Sequence, residues 1–101
     1  MRTTYGVVWR EGEAGLARGK LELLPTAVRL EGLAGATPVT RELRYDELET
    51  VHVGRSPLER LNGLPTLVLT PYHGAAIVLA AVAQAGVIAE LTDRLAKVAL
   101  V

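Results

Sequence analysis

Residues 18–31, RGKLELLPTAVRLE, contain two short runs in which apolar and charged residues alternate. Leu21 and Leu23 share one parity in the first run, and Val28 and Leu30 share one in the second. A period of two places such side chains on one face of a strand and their charged neighbours on the other. Because only a short proline–threonine step separates the runs, the segment is predicted to be a β-hairpin.

The pattern extends from this hairpin in both directions as a meander of strands. The N-terminal run TTYGVVWR is rich in β-branched and aromatic residues, and two later β-rich runs flank the turn-like sequence PYHG. Residues 32–37 and 55–63 are predicted loops, the second with one helical turn after Pro57. Seven strands are predicted, at residues 3–10, 18–24, 27–31, 38–45, 48–53, 66–70 and 75–81.

The C-terminal segment is predicted to be one amphipathic helix over residues 86–99. Four apolar residues recur at helical spacing and form one stripe: Ile88, Leu91, Leu95 and Val98. The pairs Glu90–Arg94 and Asp93–Lys97 are four residues apart in the orientation that stabilises a helix. Gly86 is an acceptable N-cap.

These elements predict a single mainly-β domain over residues 1–101. The strands follow one another as hairpins, without the alternation of strands and helices that a parallel sheet requires. Seven short strands that curl into a barrel leave one end open, and one amphipathic helix is enough to cover it. The expected fold is a bent seven-stranded antiparallel barrel capped by one C-terminal α-helix.

Composition narrows the classes of partner. Eleven basic and eleven acidic residues give no net charge, which argues against nucleic acid and against strong attraction to an anionic membrane. The chain has no cysteine and no secretory signal pattern, so a cytoplasmic location is expected. The apolar stretch at residues 75–89 is too short to span a bilayer and contains Gln84 and Gly86. No transmembrane segment is therefore predicted.

Three stretches resemble bacterial pleckstrin-homology-like and GRAM-like domains. Residues 19–32, GKLELLPTAVRLEG, are similar to a hairpin of that family, and residues 41–54, RELRYDELETVHVG, resemble the strand, turn and strand that follow. Residues 64–81 and 86–95 are similar to the family's last hairpin and closing helix. The resemblance implies a pleckstrin-homology-like barrel, a scaffold whose members bind lipid headgroups, peptides or other proteins, or form oligomers. It does not imply which of these functions the chain has.

The resemblance also implies an anion or lipid contact at the first hairpin. Lipid-binding members of the family hold phosphates with basic residues there, and the corresponding residues in this chain are Arg10, Arg18 and Lys20. Glu11 and Glu13 lie in the same region and oppose this role, since each basic residue contributes only about 1 kcal/mol near an anionic surface.

No pattern in the sequence predicts catalysis or a bound cofactor. His52 and His73 lie far from any metal-ligand motif, so both are predicted to be surface or rim residues. Ser56 precedes a proline in a loop and is predicted to be a turn residue rather than a nucleophile. No catalytic, metal or cofactor-binding residue is assigned, and no cofactor is expected.

Three leucines in the predicted loop 55–63 and directly after it form a candidate protein interface: Leu58, Leu61 and Leu64. Leucines in a polar connection either cover one end of the barrel or contact a partner. The expected function is a non-catalytic interaction module that binds a protein partner or associates with itself. Two alternatives stay open: peripheral binding of anionic lipid headgroups through the first hairpin, and an enzyme or small-ligand carrier, which requires an apolar pocket with converging polar groups.

Overall fold

A computed structural model of the chain describes residues 3–54, 56–59, 61, 64–82 and 86–99, without the side chains of residues 3, 58, 98 and 99. It contains seven strands and one α-helix. The strands are β1 (Thr3–Glu11), β2 (Ala17–Leu23), β3 (Ala27–Ala34), β4 (Thr37–Arg44), β5 (Leu48–Gly54), β6 (Thr66–Pro71) and β7 (Ile77–Ala81). The helix is α1 (Val87–Ala99), and short 3-10 turns occupy Tyr45–Glu47 and Pro57–Glu59.

The strands form one antiparallel sheet in the order β4-β3-β2-β1-β7-β6-β5. Strand β1 pairs with β2 along most of its length and with β7 along its C-terminal half, which joins the two halves of the sheet. Strands β4 and β5 lie at the two ends of this order and are not paired with each other. The sheet is therefore a curled half-barrel, and the predicted mainly-β fold with one C-terminal helix is confirmed.

Two facing glycines allow β2 and β3 to approach each other closely. Gly19 on β2 lies directly opposite Gly32 on β3. A Cβ atom on Gly32 would overlap the backbone carbonyl of Arg18, and one on Gly19 would overlap the carbonyl of Glu31. Close backbone approach of this kind is the reason for glycine inside a strand. The predicted loop 32–37 is wrong at this point, because β3 continues through Ala34 and the turn has only two residues, Gly35 and Ala36.

The core lies on the concave side of the sheet and follows the parity of the sequence. Tyr5, Val7 and Trp9 are buried on β1, as the alternation predicted. The largest fully buried side chains of the strands share this side: Leu21, Leu30, Leu43, Leu67, Leu69, Ile77 and Leu79. One continuous apolar core thus joins the two halves of the sheet.

Helix α1 covers this core from one side. It packs mainly against β5, and also against β6 and β7. Leu91 and Leu95 are fully buried, as the helical stripe predicted. The predicted ion pairs Glu90–Arg94 and Asp93–Lys97 form, at 3.3 and 3.2 Å. Among the described residues, no helix is long and apolar enough to cross a membrane.

An ion pair also joins β4 to β1 across the concave side of the sheet. The Arg41 Nε on β4 donates to both carboxylate oxygens of Glu11 on β1, each at 3.0 Å. Strands β3 and β2 separate β4 from β1 in the sheet, so the pair cannot form between neighbouring strands. Both residues have the parity of the buried side chains of their strands, which places the contact on the concave side. Each side chain keeps about a third of its surface exposed.

Candidate interaction surface

The leucine-bearing loop lies against the convex side of the sheet. Leu61 is only 5% exposed and packs with Val68, Val78 and Ala80, a small apolar cluster separate from the main core. Leu64 is 43% exposed. The side chain of Leu58 lies outside the described residues. Of the predicted interface leucines, Leu64 is thus the one whose described side chain is on the surface.

A carboxylate holds this loop against β5. One oxygen of Glu59 lies 2.8 Å from His52 Nε2, and the other accepts a hydrogen bond from the Ser56 hydroxyl at 3.0 Å. These hydrogen bonds, that from His52 first, lower the pKa of Glu59 to about 2. The Ser56 hydroxyl therefore bonds to the carboxylate and not to the imidazole, which differs from the arrangement that activates a serine nucleophile. The Ser56 amide also donates to the Glu59 oxygen that the Ser56 hydroxyl contacts, at 3.4 Å, which is the bond that a glutamate makes to the N-cap amide in a capping box.

The basic residues of the first hairpin share the convex side of the sheet. Arg18 and Lys20 are both exposed on β2, and Arg10 is half-buried on β1, directly opposite Val78 of β7. Neither Arg18 nor Lys20 has a salt-bridge partner among the described residues. Glu31 lies opposite Lys20 but pairs with Arg29 at 3.6 Å. Two unpaired cations thus lie two residues apart on one strand.

Exposed apolar residues lie beside these cations. Arg18 is directly opposite Leu33 on β3, and Leu33 is directly opposite Pro38 on β4. Leu33 is 47% exposed and Leu16 is 44% exposed. We refer to this surface as the Leu33 patch, formed by Leu16, Arg18, Lys20, Leu33 and Pro38.

The Leu33 patch contains a cavity and an adjoining groove, although it lies on the convex side of the sheet. Leu16, Arg18 and Leu33 line a cavity of about 310 Å³ together with Ala17 and Gly35. A second, more open groove of about 420 Å³ adjoins it at Leu33 and extends over Lys20 and Pro38 to Thr40. Apolar walls beside unpaired cations suit a ligand that presents an apolar group next to an anionic one.

The family resemblance in the sequence implied a role for the cations of this patch but not for its apolar members. Leu33 lies in a segment predicted to be a loop, although it has the same parity as Arg29 and Glu31, two outward-facing residues of the strand before it. The signal in the sequence was therefore that Leu33, an apolar residue, follows two charged residues on the outward face of this strand. No such signal identified Leu16 and Pro38, because they lie beside Leu33 only once β2, β3 and β4 have paired.

Comparisons with known proteins support the fold alone. No protein-family model and no curated protein matches the chain. Among solved structures, the chain is similar to the C-terminal domain of an unknown protein from Leishmania infantum, with a TM-score of 0.74 and 18% sequence identity. The match covers 98% of this chain and 83% of that one. At this identity the likeness concerns architecture and says nothing about a shared function.

Proposed function

We propose that this chain is a non-catalytic protein-interaction module that binds its partner at the Leu33 patch. The observation that carries the proposal is the juxtaposition of Leu33 and Leu16, each more than two-fifths exposed, with Arg18 and Lys20, which lack salt-bridge partners among the described residues. Exposed leucines in a concave surface lose contact with water when a partner covers them. The adjacent cations would set the orientation of that partner and favour acidic groups on it.

The resemblance to pleckstrin-homology-like domains is consistent with this proposal, because it implies a scaffold whose members bind lipid headgroups, peptides or other proteins. The leucine-bearing loop is a weaker candidate surface. Leu61 is covered by the chain itself, so Leu64 alone among the described leucine side chains of this loop lies on the surface.

A selection from a displayed library of random peptides tests the proposal, because it requires no identified partner. Peptides are selected on the wild-type protein and then compared on Leu33→Glu and Val82→Glu. Val82 is also an exposed apolar residue but lies outside the patch, so its variant is the matched control. We expect the selected peptides to lose binding to Leu33→Glu and keep it on Val82→Glu. Equal binding to both variants would place the interaction elsewhere.

Peripheral binding to anionic lipid is the second candidate, favoured by the same two cations beside exposed leucines. Arg10 lies on the same side of the sheet and would add to the contact. Flotation with vesicles of phosphatidylcholine, with and without phosphatidylserine, tests it. Binding that requires phosphatidylserine, weakens with salt and disappears in Arg18→Glu/Lys20→Glu would favour the lipid function. No flotation at low salt would reject it.

A further inference from the structure

Strand β4 presents a free backbone edge next to the Leu33 patch. Its eight residues pair with β3 on one side, and no strand in the described part of the chain pairs with its other side. The two-residue turn Gly35-Ala36 closes on the pair Ala34–Thr37, so the backbone groups of Thr37 point toward β3. In an antiparallel strand, every second residue directs its backbone groups toward the same neighbouring strand. At the other end of β4, the Tyr45 amide donates to the Thr26 carbonyl, and Tyr45 is an even number of residues from Thr37, as this alternation requires.

This alternation identifies the backbone groups at the free edge. Every second residue of β4 directs its backbone away from β3, namely Pro38, Thr40, Glu42 and Arg44. All four are exposed. Proline has no amide hydrogen, and a missing donor at the solvent side of an edge strand is the position where it is tolerated. The amides of Thr40, Glu42 and Arg44 and the carbonyls of Pro38, Thr40 and Arg44 are therefore in position to pair with another strand. The Glu42 carbonyl also faces outward and accepts a long hydrogen bond from Arg41 Nη1, at 3.5 Å, which an added strand would replace.

We propose that the partner of this module is an extended peptide that adds to β4 as an eighth, antiparallel strand. This inference rests on the proposed function and names its ligand. Its acidic residue lies opposite Arg44, its basic residue lies opposite Glu42, and its apolar residue lies opposite Pro38, beside Leu33. Backbone pairing at a sheet edge supplies binding, and the alternating side chains supply specificity.

The charged side chains along the free edge of β4 favour an extended peptide as its ligand. Glu42 and Arg44 lie on the convex face, two residues apart, so an added strand meets one negative and one positive side chain there. Arg44 contacts Asp46 at 2.9 Å, but both side chains are about two-thirds exposed. An exposed ion pair of this kind exchanges partners at little cost.

A second copy of β4 does not fit this edge well. Matching Glu42 with Arg44 of the other copy leaves only three residues of each strand overlapping, because β4 ends at Arg44. Two antiparallel registers share the longest overlap, seven residues of each strand. In the first, Thr40 faces its own counterpart and each Glu42 faces Pro38, which has no amide hydrogen, so two backbone hydrogen bonds are missing. In the second, Thr40 faces Glu42 and Arg41 faces its own counterpart, and like charges directly opposite each other destabilise a strand pair. A heterologous peptide avoids the like-charge pair and meets Pro38 only once.

Two synthetic peptides of identical composition test the pairing. Glu-Val-Lys-Ser-Val-Val-Leu places its glutamate opposite Arg44, its lysine opposite Glu42 and its leucine opposite Pro38. The control, Lys-Val-Glu-Ser-Val-Val-Leu, exchanges the two charges. Titration of the labelled protein by NMR should show the first peptide binding at least about threefold more tightly, with shifts at the Thr40, Glu42 and Arg44 amides. In Glu42→Lys/Arg44→Glu the preference should reverse.

A second variant separates strand pairing from other contacts at the patch. Thr40→Pro removes one outward amide and no bond to β3, whereas Thr40→Val keeps that amide. We expect the first to lose peptide binding and the second to retain it. If Thr40→Pro does not give a folded spectrum, the charge reversal in Glu42→Lys/Arg44→Glu remains decisive.

Four results would overturn the inference: no binding of either peptide, equal binding of both, an unchanged affinity in a folded Thr40→Pro, or a solution mass that doubles with concentration. After an unchanged affinity in Thr40→Pro, or after a doubled solution mass, the proposed function would still stand if Leu33→Glu abolished the peptide binding or the dimerisation. Retention of peptide binding in Leu33→Glu with loss in Thr40→Pro would instead support edge pairing without the patch.

Discussion

At the scale of single residues, the facing glycines of β2 and β3 set a steric requirement that can be measured. Gly32→Ala places a methyl group against the Arg18 carbonyl, and backbone cannot move aside as a flexible side chain can. We expect the free energy of unfolding to fall by about 1–3 kcal/mol, the usual cost of overpacking. Gly6→Ala is the control, since nothing lies within 4 Å of its added Cβ. Equal stability of both variants in urea denaturation would contradict the claim that β2 and β3 require glycine where they approach each other.

Glu59 gives the fold a dependence on pH. The hydrogen bonds from His52 and Ser56 lower its pKa to about 2 from the ordinary 4.5. Because the unfolded chain takes up this proton first, the stabilisation is present above about pH 4.5 and is lost as the pH falls to about 2.

Thermal unfolding of wild type and Glu59→Gln across this range measures the effect. We expect the wild type to be the more stable near neutral pH and the difference to shrink toward pH 2. Glu49→Gln, an exposed substitution on β5, is the control for the removal of one carboxylate. A constant difference between wild type and Glu59→Gln would show that the carboxylate does not contribute through its ionisation.

At the scale of elements, the leucine-bearing loop contributes to stability by covering the convex face of β6 and β7. Leu61→Ala removes a side chain that is 5% exposed and is expected to cost about 2–4 kcal/mol. Leu64→Ala, in the same loop but 43% exposed, should change stability by less than about 0.5 kcal/mol. Denaturant titrations of both compare them directly. A small effect at Leu61 would mean that the loop detaches at little cost.

The ion pair between β4 and β1 is expected to couple these two strands, which are not neighbours in the sheet. A double-mutant cycle with Arg41→Gln and Glu11→Gln should give a coupling of about 1 kcal/mol, because the arginine contacts both oxygens and each side chain is about two-thirds buried. The same cycle at Arg44 and Asp46, both largely exposed, should give close to zero. Equal coupling energies in the two cycles would show that burial does not strengthen the pair of Arg41 and Glu11.

The elements themselves were largely predictable, for physical reasons that differ between them. Alternation identified the inward residues of β1 and β2, and the helical stripe identified Leu91 and Leu95, because burial on one face of an element leaves a local pattern. The length of β3 was not predictable from Gly32, which normally indicates a turn but here allows close packing against Gly19. The contact of Arg41 with Glu11 also left no local pattern, since the residues are 30 positions apart.

At the scale of the whole molecule, strand order determines where an interaction surface can lie. Residues from the loop before β2 and from β2, β3 and β4 meet at the Leu33 patch only after these strands pair in register. The sequence therefore identified Arg18 and Lys20 as candidates but did not group them with Leu16 and Pro38. The open edge at β4 has the same origin, because it follows from the position of β4 at one end of the strand order.

The central claim, that the Leu33 patch is the binding surface, is tested most directly by one comparison of affinities. Peptides selected on the wild-type protein are titrated against wild type, Leu33→Glu and Val82→Glu, and the dissociation constants are compared. A charged side chain at the centre of an apolar contact is expected to weaken binding at least about tenfold for Leu33→Glu. Val82→Glu should bind as the wild type does. Wild-type affinity in Leu33→Glu would contradict the account and move the binding surface away from this patch.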